Sequence, residues 1–279
     1  MSEPNIEAVG MESGALQSQC DLLRSLHVGG RPLVLPNVWD AATARTVVAA
    51  GFPVVATTSA GVAAALGYED HETAPSEEMF LAAARIARSV EVPVTIDAEA
   101  GYGLSASELV AALKRIGAAG CNLEDTDYSS KSLCDADQQA DWLRSVREAA
   151  SDKDYRLVIN ARVDAFLHVL DKQPQAGQLE HALRRANTYL EAGADCVYPI
   201  TLWERDALAS FMAEVGGPVN ILGTPRAPSI AELAELGVAR VSLAGFLYRG
   251  ATAWLQSTLA SLVQEAEKAG SPVRPAASA

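Results

Sequence analysis

The sequence predicts a single α/β domain folded as a (β/α)8 TIM barrel. Short runs typical of strands alternate eight times with amphipathic helical patterns, as expected for a parallel sheet closed on itself. Several helical patterns end at a glycine directly before the next strand, where glycine adopts the left-handed cap conformation at little cost. The length of 279 residues suits one barrel, and no linker divides the chain.

Each predicted strand is followed by a helical pattern. The strands are 32–37, 53–59, 92–99, 120–125, 156–164, 194–200, 218–222 and 239–244. The helical patterns are 40–50, 76–90, 105–118, 135–150, 177–192, 203–214, 228–236 and 248–268. An open doubly wound sheet is the alternative architecture. The barrel is favoured because NVWDAA follows the first strand, where a doubly wound nucleotide-binding sheet would carry GxGxxG.

The ends of the chain lie outside the predicted barrel. We predict a flexible N-terminus over residues 1–14, the barrel domain over 15–270, and a flexible tail over 271–279. Inside the domain, the opening stretch ALQSQCDLLRSLHVGG predicts an extra N-terminal helix that covers the bottom of the barrel.

Composition and charge narrow the possible partners. A hydrophobic content of 49% with 20% charged residues is that of a globular protein. The net charge of −13 argues against nucleic acid and against an anionic membrane surface as partners.

No apolar run approaches the roughly 18–20 residues of a membrane-spanning helix, and the acidic N-terminus does not resemble a signal peptide. Four widely spaced cysteines indicate reduced thiols. We therefore expect a cytoplasmic location.

Alternation along the strands predicts which side chains face the barrel interior. The outward face lies under helices and must be apolar, so the polar residues between apolar ones point inward. The inward polar residues assigned in this way are Thr95, Asp97, Glu99, Asn122, Glu124, Asn160, Arg162, Asp164, Asn220 and Ser242. They gather towards the C-terminal strand ends, where barrel active sites form.

Three of these acids, Asp97, Glu99 and Glu124, face a single base. That base is Arg162. A structural ion-pair network would explain any one of these side chains, but it does not explain an excess of acid over base. Converging carboxylates favour a hard divalent cation, and Mg²⁺ fits best because it takes oxygen ligands and needs only one or two direct carboxylates. Mn²⁺ is a possible substitute.

Other kinds of catalytic site are disfavoured. The four histidines lack paired spacing, so a zinc site is not expected. No lysine falls on a predicted strand, which argues against a Schiff-base aldolase, and there is no GxSxG elbow. Metal-assisted chemistry on an oxygen-rich anion remains, in which the cation would polarise a 2-oxo or 2-hydroxy acid and Arg162 would bind its negative charge.

Four blocks of sequence at the strand ends carry a family resemblance. They are NVWDAATAR (37–45), DAEAGYG (97–103), CNLEDTDY (121–128) and NARVDAF (160–166). In this order they resemble the isocitrate lyase/phosphoenolpyruvate mutase superfamily, and the likeness runs from about residue 15 to the last helix. The chain is most similar to small bacterial members described as carboxyvinyl-carboxyphosphonate phosphorylmutase-like or methylisocitrate lyase-like.

The resemblance implies a barrel whose eighth helix is swapped between subunits, giving homodimers or homotetramers. It also implies a metal site in which Asp97 is the direct Mg²⁺ ligand. The acids expected to hold metal-bound waters are Glu99, Glu124 and Asp70.

The resemblance also implies how a substrate would be held. Arg162 would bind the carboxylate or phosphonate end of the substrate. Backbone amides around Thr58, Ser59 and Ala60 would hold the carboxylate of a 2-oxo acid. Asn220 would be a further substrate contact.

The sequence departs from the family at one acid of the implied metal site and in the part that selects the reaction. In the metal site, Glu99 stands where an Asp is usual. The loop after the fourth predicted strand reads TDYSSKSLCDAD in place of the K-[KR]-C-G-H of the lyases. Its Cys134 precedes a predicted helix cap at Asp135, and we interpret it as a small structural thiol. Lys131 matches the mutase loop imperfectly, and Ile200 follows the sixth strand where relatives carry Glu or His.

The function predicted from the sequence is that of a Mg²⁺-dependent carbon–carbon lyase. It would cleave or decarboxylate a small anionic 2-oxo or 2-hydroxy acid through a metal-bound enolate, with Arg162 and Glu124 as catalytic residues. One alternative is a phosphoenolpyruvate mutase or phosphonopyruvate-type enzyme acting on a carbon–phosphorus bond. A second alternative is a barrel that binds a metal and an oxoacid with little turnover.

Overall fold

The predicted barrel is confirmed, with parallel strands close to the predicted ranges. The computed structural model describes residues 13–169 and 174–273 of the chain. The strands are β1 (Leu33–Leu35), β2 (Asn37–Val38), β3 (Val55–Thr57), β4 (Val94–Asp97), β5 (Gly120–Glu124), β6 (Thr126–Asp127), β7 (Ser132–Leu133), β8 (Val158–Val163), β9 (Cys196–Pro199), β10 (Asn220–Leu222) and β11 (Arg240–Ser242).

The barrel closes because its first strand takes part in two sheets. The first half of this strand, β1, pairs with β11, and the second half, β2, pairs with β3. One sheet has the order β2-β3-β4-β5-β8-β9, and the other has the order β1-β11-β10. A parallel bridge between Val197 and Val219 joins β9 to β10. The short strands β6 and β7 form a separate antiparallel hairpin directly after β5.

Helices follow the barrel strands and cover their outer faces. The α-helices are α1 (Ser13–Ser25), α2 (Ala41–Ala49), α3 (Ser59–Leu66), α4 (Ser76–Ala87), α5 (Ala106–Arg115), α6 (Ala136–Ser151), α7 (Leu179–Glu191), α8 (Arg205–Glu214), α9 (Ile230–Glu235) and α10 (Phe246–Lys268). Two short 3₁₀ helices span Leu167–Val169 and Gln175–Gln178. Asp135 caps α6 by accepting the backbone N–H groups of Asp137 and Gln138, as the sequence predicts.

The N-terminal helix lies under the barrel, as predicted. Its Leu23 is buried and approaches the start of β5 so closely that a Cβ at Gly120 would lie 2.8 Å from the Leu23 Cδ2 atom. Its Arg24 donates hydrogen bonds to the carbonyl oxygens of Arg156 and Leu157 just before β8. The closed lower end leaves the C-terminal strand ends as the open mouth.

Three differences from the predicted elements affect the barrel mouth. Helix α3 was not predicted, because SAGVAAAL is apolar on all sides and follows a strand directly, so it has no amphipathic period. Strand β4 ends at Asp97, two residues earlier than predicted, and Glu99 lies in the following turn. The hairpin of β6 and β7 occupies a loop that carried no strand prediction.

The predicted flexible ends fall mostly on residues 1–12 and 274–279, which lie outside the described residues. Helix α1 begins at Ser13, so residues 13 and 14 are helical. Within the described ranges, none of the helices has the length and apolarity needed to cross a membrane.

Candidate active site

The strand register brings the predicted acids and the arginine to one end of the barrel. Asp97, the last residue of β4, pairs with Asn122 in β5. Glu124, the last residue of β5, pairs with Arg162 in β8. Because these strands are neighbours and parallel, their C-terminal ends form one continuous part of the mouth.

Asp97 is held by its neighbours on three sides. Its Oδ2 atom accepts the backbone N–H of Ser59 at 2.9 Å, and the Asn122 amide lies 3.4 Å from its Oδ1 atom. Its own backbone N–H donates to the Thr57 hydroxyl at 2.8 Å. Burial raises the pKa of Asp97, while the hydrogen bond from Ser59 lowers it. A carboxylate oxygen has two lone pairs, so these contacts leave room for a cation.

Glu99 reaches the site from a turn and not from the strand. Its φ angle of 48° lies in the left-handed region, which is uncommon for a non-glycine residue. The carboxylate accepts the Tyr102 hydroxyl at 2.8 Å and the backbone N–H of Glu72 at 2.7 Å. Burial, together with the charge of Asp97, raises the pKa of Glu99 to about 7. A nearby cation would relieve this accumulation of negative charge.

Glu124, Arg162 and Asp164 form a buried ion-pair group. The guanidinium of Arg162 donates to Glu124 through Nη1, and to both Asp164 oxygens through Nε at 2.6 Å and Nη2 at 2.8 Å. The Tyr128 hydroxyl also donates to Glu124. Burial raises the pKa of Glu124 well above its usual value. Burial would lower the pKa of Arg162, but the charges of Asp164 and Glu124 raise it instead, so the guanidinium stays a cation.

A second buried group lies behind the first and supports the loop after β5. One Asp125 oxygen accepts Arg185 at 2.9 Å and the Tyr189 hydroxyl at 2.8 Å, both from α7. The other accepts the backbone N–H of Asp164 at 2.8 Å. Burial, with the charge of Asp164, raises the pKa of Asp125 to about 6. Arg185 also donates to the carbonyl oxygen of Cys134, so α7 fixes the far end of the loop.

The predicted carboxylate-binding amides lie at the start of α3. The N–H of Thr58 donates to the carbonyl oxygen of Val38 at 3.0 Å, and the N–H of Ser59 is bonded to Asp97. Thr58 and Ser59 are buried, whereas Ala60 is half-buried. The structure therefore brings this turn to Asp97, with two of the three amides already engaged by the protein.

Asn220 lies deeper than the other predicted substrate contacts. It is fully buried in β10, where its Nδ2 donates to the Ser242 hydroxyl at 3.0 Å and its Oδ1 has no hydrogen-bond partner. Contact with a substrate at Asn220 would therefore require the substrate to enter the upper barrel interior.

Asp70 lies at the rim of the mouth. Its Oδ1 atom is buried without a hydrogen-bond partner, and its charge raises the pKa of Asp97 and Glu99. A cavity of about 480 Å³ opens beside it. The cavity is lined by Glu69, Asp70, His71, Thr73, Thr126, Tyr128, Lys131, Leu167 and His168. The structure thus brings Asp70 to the acid group, next to a space large enough for a small organic acid.

The donor chemistry at the mouth suits a hard cation. Asp97, Glu99, Glu124 and Asp70 offer only oxygen atoms, which Mg²⁺ prefers. In the part of the chain that the structure describes, no three His, Cys, Asp or Glu side chains lie close enough together to hold a metal ion among themselves. These side chains therefore form no cage of three direct ligands, and the donor atoms that they offer to a cation are oxygens alone.

Sequence analysis missed several polar side chains of this site. Tyr102 and Tyr128 donate to Glu99 and Glu124, although both tyrosines stand inside the sequence blocks that carry the family resemblance. Tyr198 in β9 is buried with an unpartnered hydroxyl. Arg240 in β11 is fully buried inside the barrel. The alternation that assigns Ser242 inward assigns Arg240 inward as well, so the strand pattern contained the information.

The sequence is similar to those of known proteins over most of its length. A family model described as phosphoenolpyruvate phosphomutase matches residues 23–263. An uncharacterised protein of Mycobacterium tuberculosis (strain ATCC 25618 / H37Rv) is 33% identical over 223 residues, which cover 80% of this chain and 81% of that protein. The 2-methylisocitrate lyase of Escherichia coli (strain K12) is 27% identical over 216 residues, which cover 74% of this chain and 70% of the enzyme.

A solved structure is similar over nearly its whole length. It is that of a Burkholderia cenocepacia J2315 protein provisionally described as a phosphonomutase. The TM-score is 0.83 and the sequence identity 38%, with 90% of this chain and 99% of that chain covered. The two proteins therefore share the barrel fold.

Proposed function

Since the chain belongs to the phosphoenolpyruvate phosphomutase family, we propose that it is a Mg²⁺-dependent lyase that cleaves or decarboxylates a small 2-oxo or 2-hydroxy carboxylic acid. The observation that carries this proposal is the group of acids at the barrel mouth beside one buried guanidinium. Asp97 and Glu124 end neighbouring strands there, and Arg162 lies one residue before the end of the next strand.

Asp97 is the proposed direct ligand of the metal. Its Oδ2 is fixed by the N–H of Ser59, so the carboxylate is oriented before a cation arrives. Glu99, Glu124 and Asp70 would hold waters on the same cation, and Mn²⁺ would substitute for Mg²⁺. The cation would supply Lewis-acid polarisation of the 2-oxo or 2-hydroxy group.

The protein itself would bind the acidic ends of the substrate. The Nη1 atom of Arg162 carries two hydrogens, and one of them is donated to Glu124. The other would be donated to a substrate carboxylate. The free amide at the start of α3, next to Ser59, would meet the other end. With Asp164 bound to two of its nitrogens, the guanidinium cannot turn away, so its remaining N–H is presented in one direction.

A carbon–phosphorus enzyme is the second candidate, and a specific observation favours it. Lys131, at the tip of the hairpin of β6 and β7, lines the mouth cavity together with His71 and His168. Cationic or protonatable groups in this position suit a phosphonate. The solved relative with 38% identity is also provisionally described as a phosphonomutase.

We further propose that the chain works as a homodimer or homotetramer built through α10. This helix has no buried residue, and Trp254 is 69% exposed. The exposed apolar side chains of α10 are Phe246, Trp254, Leu255, Leu259, Leu262 and Val263. Leu255, Leu259, Leu262 and Val263 recur at helical spacing, and an exposed apolar face of this kind is typical of a protein interface. The proposed occupant is a second copy of the chain, which would exchange α10.

A substrate panel tests the reaction. Purified protein with Mg²⁺ would be given oxaloacetate, 2-methylisocitrate, isocitrate and phosphonopyruvate, with release of pyruvate, glyoxylate or phosphate and formation of phosphoenolpyruvate as readouts. Turnover of a carbon substrate supports the lyase, and turnover of phosphonopyruvate alone supports the second candidate. An Asp97→Ala variant is the control for contaminating activity. No turnover together with calorimetric binding of oxalate would reject both in favour of a binding barrel.

A further inference from the structure

Arg240 crosses the barrel interior without meeting a carboxylate. It is fully buried in β11, while its partner Asn122 lies in β5, which the strand order places on the opposite side of the barrel. The Nη2 atom of Arg240 donates to the Asn122 Oδ1 atom at 3.1 Å, and Nε lies 3.4 Å from the Ser242 hydroxyl. Its Nη1 atom is buried with no hydrogen-bond partner. An unpaired buried charge is costly, so this placement calls for a nearby anion.

Asn122 connects this guanidinium to Asp97. The Oδ1 atom of Asn122 accepts two donors, Arg240 at 3.1 Å and the Asn160 amide at 2.8 Å. Two donors on one oxygen determine which end of the Asn122 amide is the carbonyl. The NH₂ end therefore faces the Asp97 Oδ1 atom at 3.4 Å. Asn122 therefore contacts Arg240 through its Oδ1 atom and Asp97 through its Nδ2 atom.

Arg240 is a second cation that interacts with Asp97. The charge of Arg162 also lowers the pKa of Asp97, but Arg162 is itself bound by Asp164 and Glu124. Arg240 forms no ion pair with any acid in the described residues, and Asp97 is the carboxylate whose charge acts on it. Several acids surround Asp97 at the mouth, so a cation beneath it reduces the repulsion that they impose.

We propose that Arg240 is a positioning residue of the metal site: by fixing the Asn122 amide and placing a positive charge beneath Asp97, it holds Asp97 as an oriented carboxylate ready for a divalent cation. This inference rests on the proposed function, since it requires a metal at Asp97. Groups that orient a metal ligand commonly contribute about 10- to 100-fold to metal affinity.

Metal binding in the absence of substrate tests this role. Mn²⁺ affinity of the metal-free full-length protein would be measured by electron paramagnetic resonance, and thermal unfolding would be followed by circular dichroism. Asn122→Ala keeps Arg240 and deletes the connection, whereas Arg240→Met deletes the charge. Both are expected to weaken Mn²⁺ binding about tenfold or more, and Arg240→Lys, which keeps the charge, is expected to lose less.

Val241→Ala is the matched control, because Val241 is buried on the opposite face of β11. It should lower the unfolding temperature and leave Mn²⁺ affinity unchanged. The proposal is overturned if Asn122→Ala binds Mn²⁺ within about twofold of the parent, and this result does not depend on whether Arg240→Met folds. Suppose that Asn122→Ala gives this result while the parent binds Mn²⁺ and Asp97→Ala does not. The metal site at Asp97 is then supported, and only the role of Arg240 is refuted. A parent that binds no Mn²⁺ would refute the metal site and the role of Arg240 together.

Discussion

Arg162 and Asp164 form a two-pronged ion pair two residues apart along the chain. The Nε and Nη2 atoms of Arg162 donate to the two Asp164 oxygens at 2.6 and 2.8 Å. Asp164 is itself fixed by the Thr126 hydroxyl at 2.5 Å. The guanidinium is therefore oriented by protein contacts alone, and only part of its donor set is left for a ligand.

We predict that Arg162→Lys reduces the affinity for a Mg²⁺–oxalate pair about 10- to 100-fold, because an ammonium cannot keep the two-pronged contact with Asp164 and also present an N–H to the ligand. Asp164→Asn should give a smaller loss in the same direction, since Asn accepts a hydrogen bond but does not carry the charge. Isothermal titration calorimetry with oxalate measures both. Oxalate affinity equal to that of the parent in Arg162→Lys would contradict a role for this guanidinium in binding the substrate.

We predict that Asp97→Ala abolishes metal-dependent oxalate binding while the protein stays folded. The substitution removes a ligand and little core volume, because Asp97 ends β4 and is only half-buried, unlike the three buried residues before it. Calorimetry with and without Mg²⁺ measures the loss. Asp141→Ala is a matched control, since its carboxylate is 75% exposed on α6. A variant of Asp97 that binds Mg²⁺–oxalate like the parent would show that the metal ligand has been assigned wrongly.

We predict that Cys134→Ser keeps kcat/KM within about threefold of the parent. Burial and the negative charge of Asp125 raise the pKa of the Cys134 thiol, so the reactive thiolate is disfavoured. The contacts of this residue with Asp125 and Arg185 are made by its backbone and survive the substitution. Steady-state kinetics on the substrate found by the panel measures the effect. An inactive variant would instead support the lyase mechanism in which a cysteine of this loop acts as acid or base.

The part of the site that lies within strands was predictable from the sequence. Alternation assigns Asp97, Glu124 and Arg162 to the interior because each sits in or at the end of a strand with apolar neighbours on the other face. The barrel was predictable for the same reason, since eight alternating elements repeat one local pattern. Neither inference needs contacts between distant residues.

The remaining site residues depend on geometry outside regular elements. Glu99 reaches the site only because its φ angle is 48°, which no strand pattern predicts. Tyr102 contacts Glu99 through the same turn. Arg240 follows the alternation, but its role depends on the length of its side chain and on Asn122 lying across the barrel. These contacts form only when the barrel closes and brings distant strands together, which the order of the residues alone does not specify.

We predict that His27 makes the protein less stable in mild acid. Burial, together with the charge of Arg240, lowers the pKa of His27 to about 4, while an unfolded chain titrates near the ordinary value of 6.5. As pH falls from 6.5 towards 4, the unfolded state therefore binds a proton that the folded state excludes. Stability should decrease by about 2 kcal/mol over this range through His27 alone.

Urea unfolding of the parent and of His27→Gln at pH 7.5 and pH 5 measures this contribution. The substitution removes the titrating ring, so the loss of stability between the two pH values should be smaller in the variant. The other titrating groups are common to both proteins and cancel in the comparison. An equal loss in the two proteins would show that His27 accepts a proton as readily in the folded state as in the unfolded chain.

We predict that Leu259→Glu dissociates the proposed oligomer. Leu255, Leu259 and Leu262 follow helical spacing on α10, and each is about half exposed, so they form one apolar stripe. A carboxylate in the middle of this stripe would be buried without a partner in an interface and would cost several kcal/mol. Light scattering should show a dimer or tetramer for the parent and a monomer for the variant. Gln264→Glu adds the same charge on the opposite side of the helix and should leave the mass unchanged. A monomeric parent, or a Leu259→Glu variant of parental mass, would rule out assembly through α10.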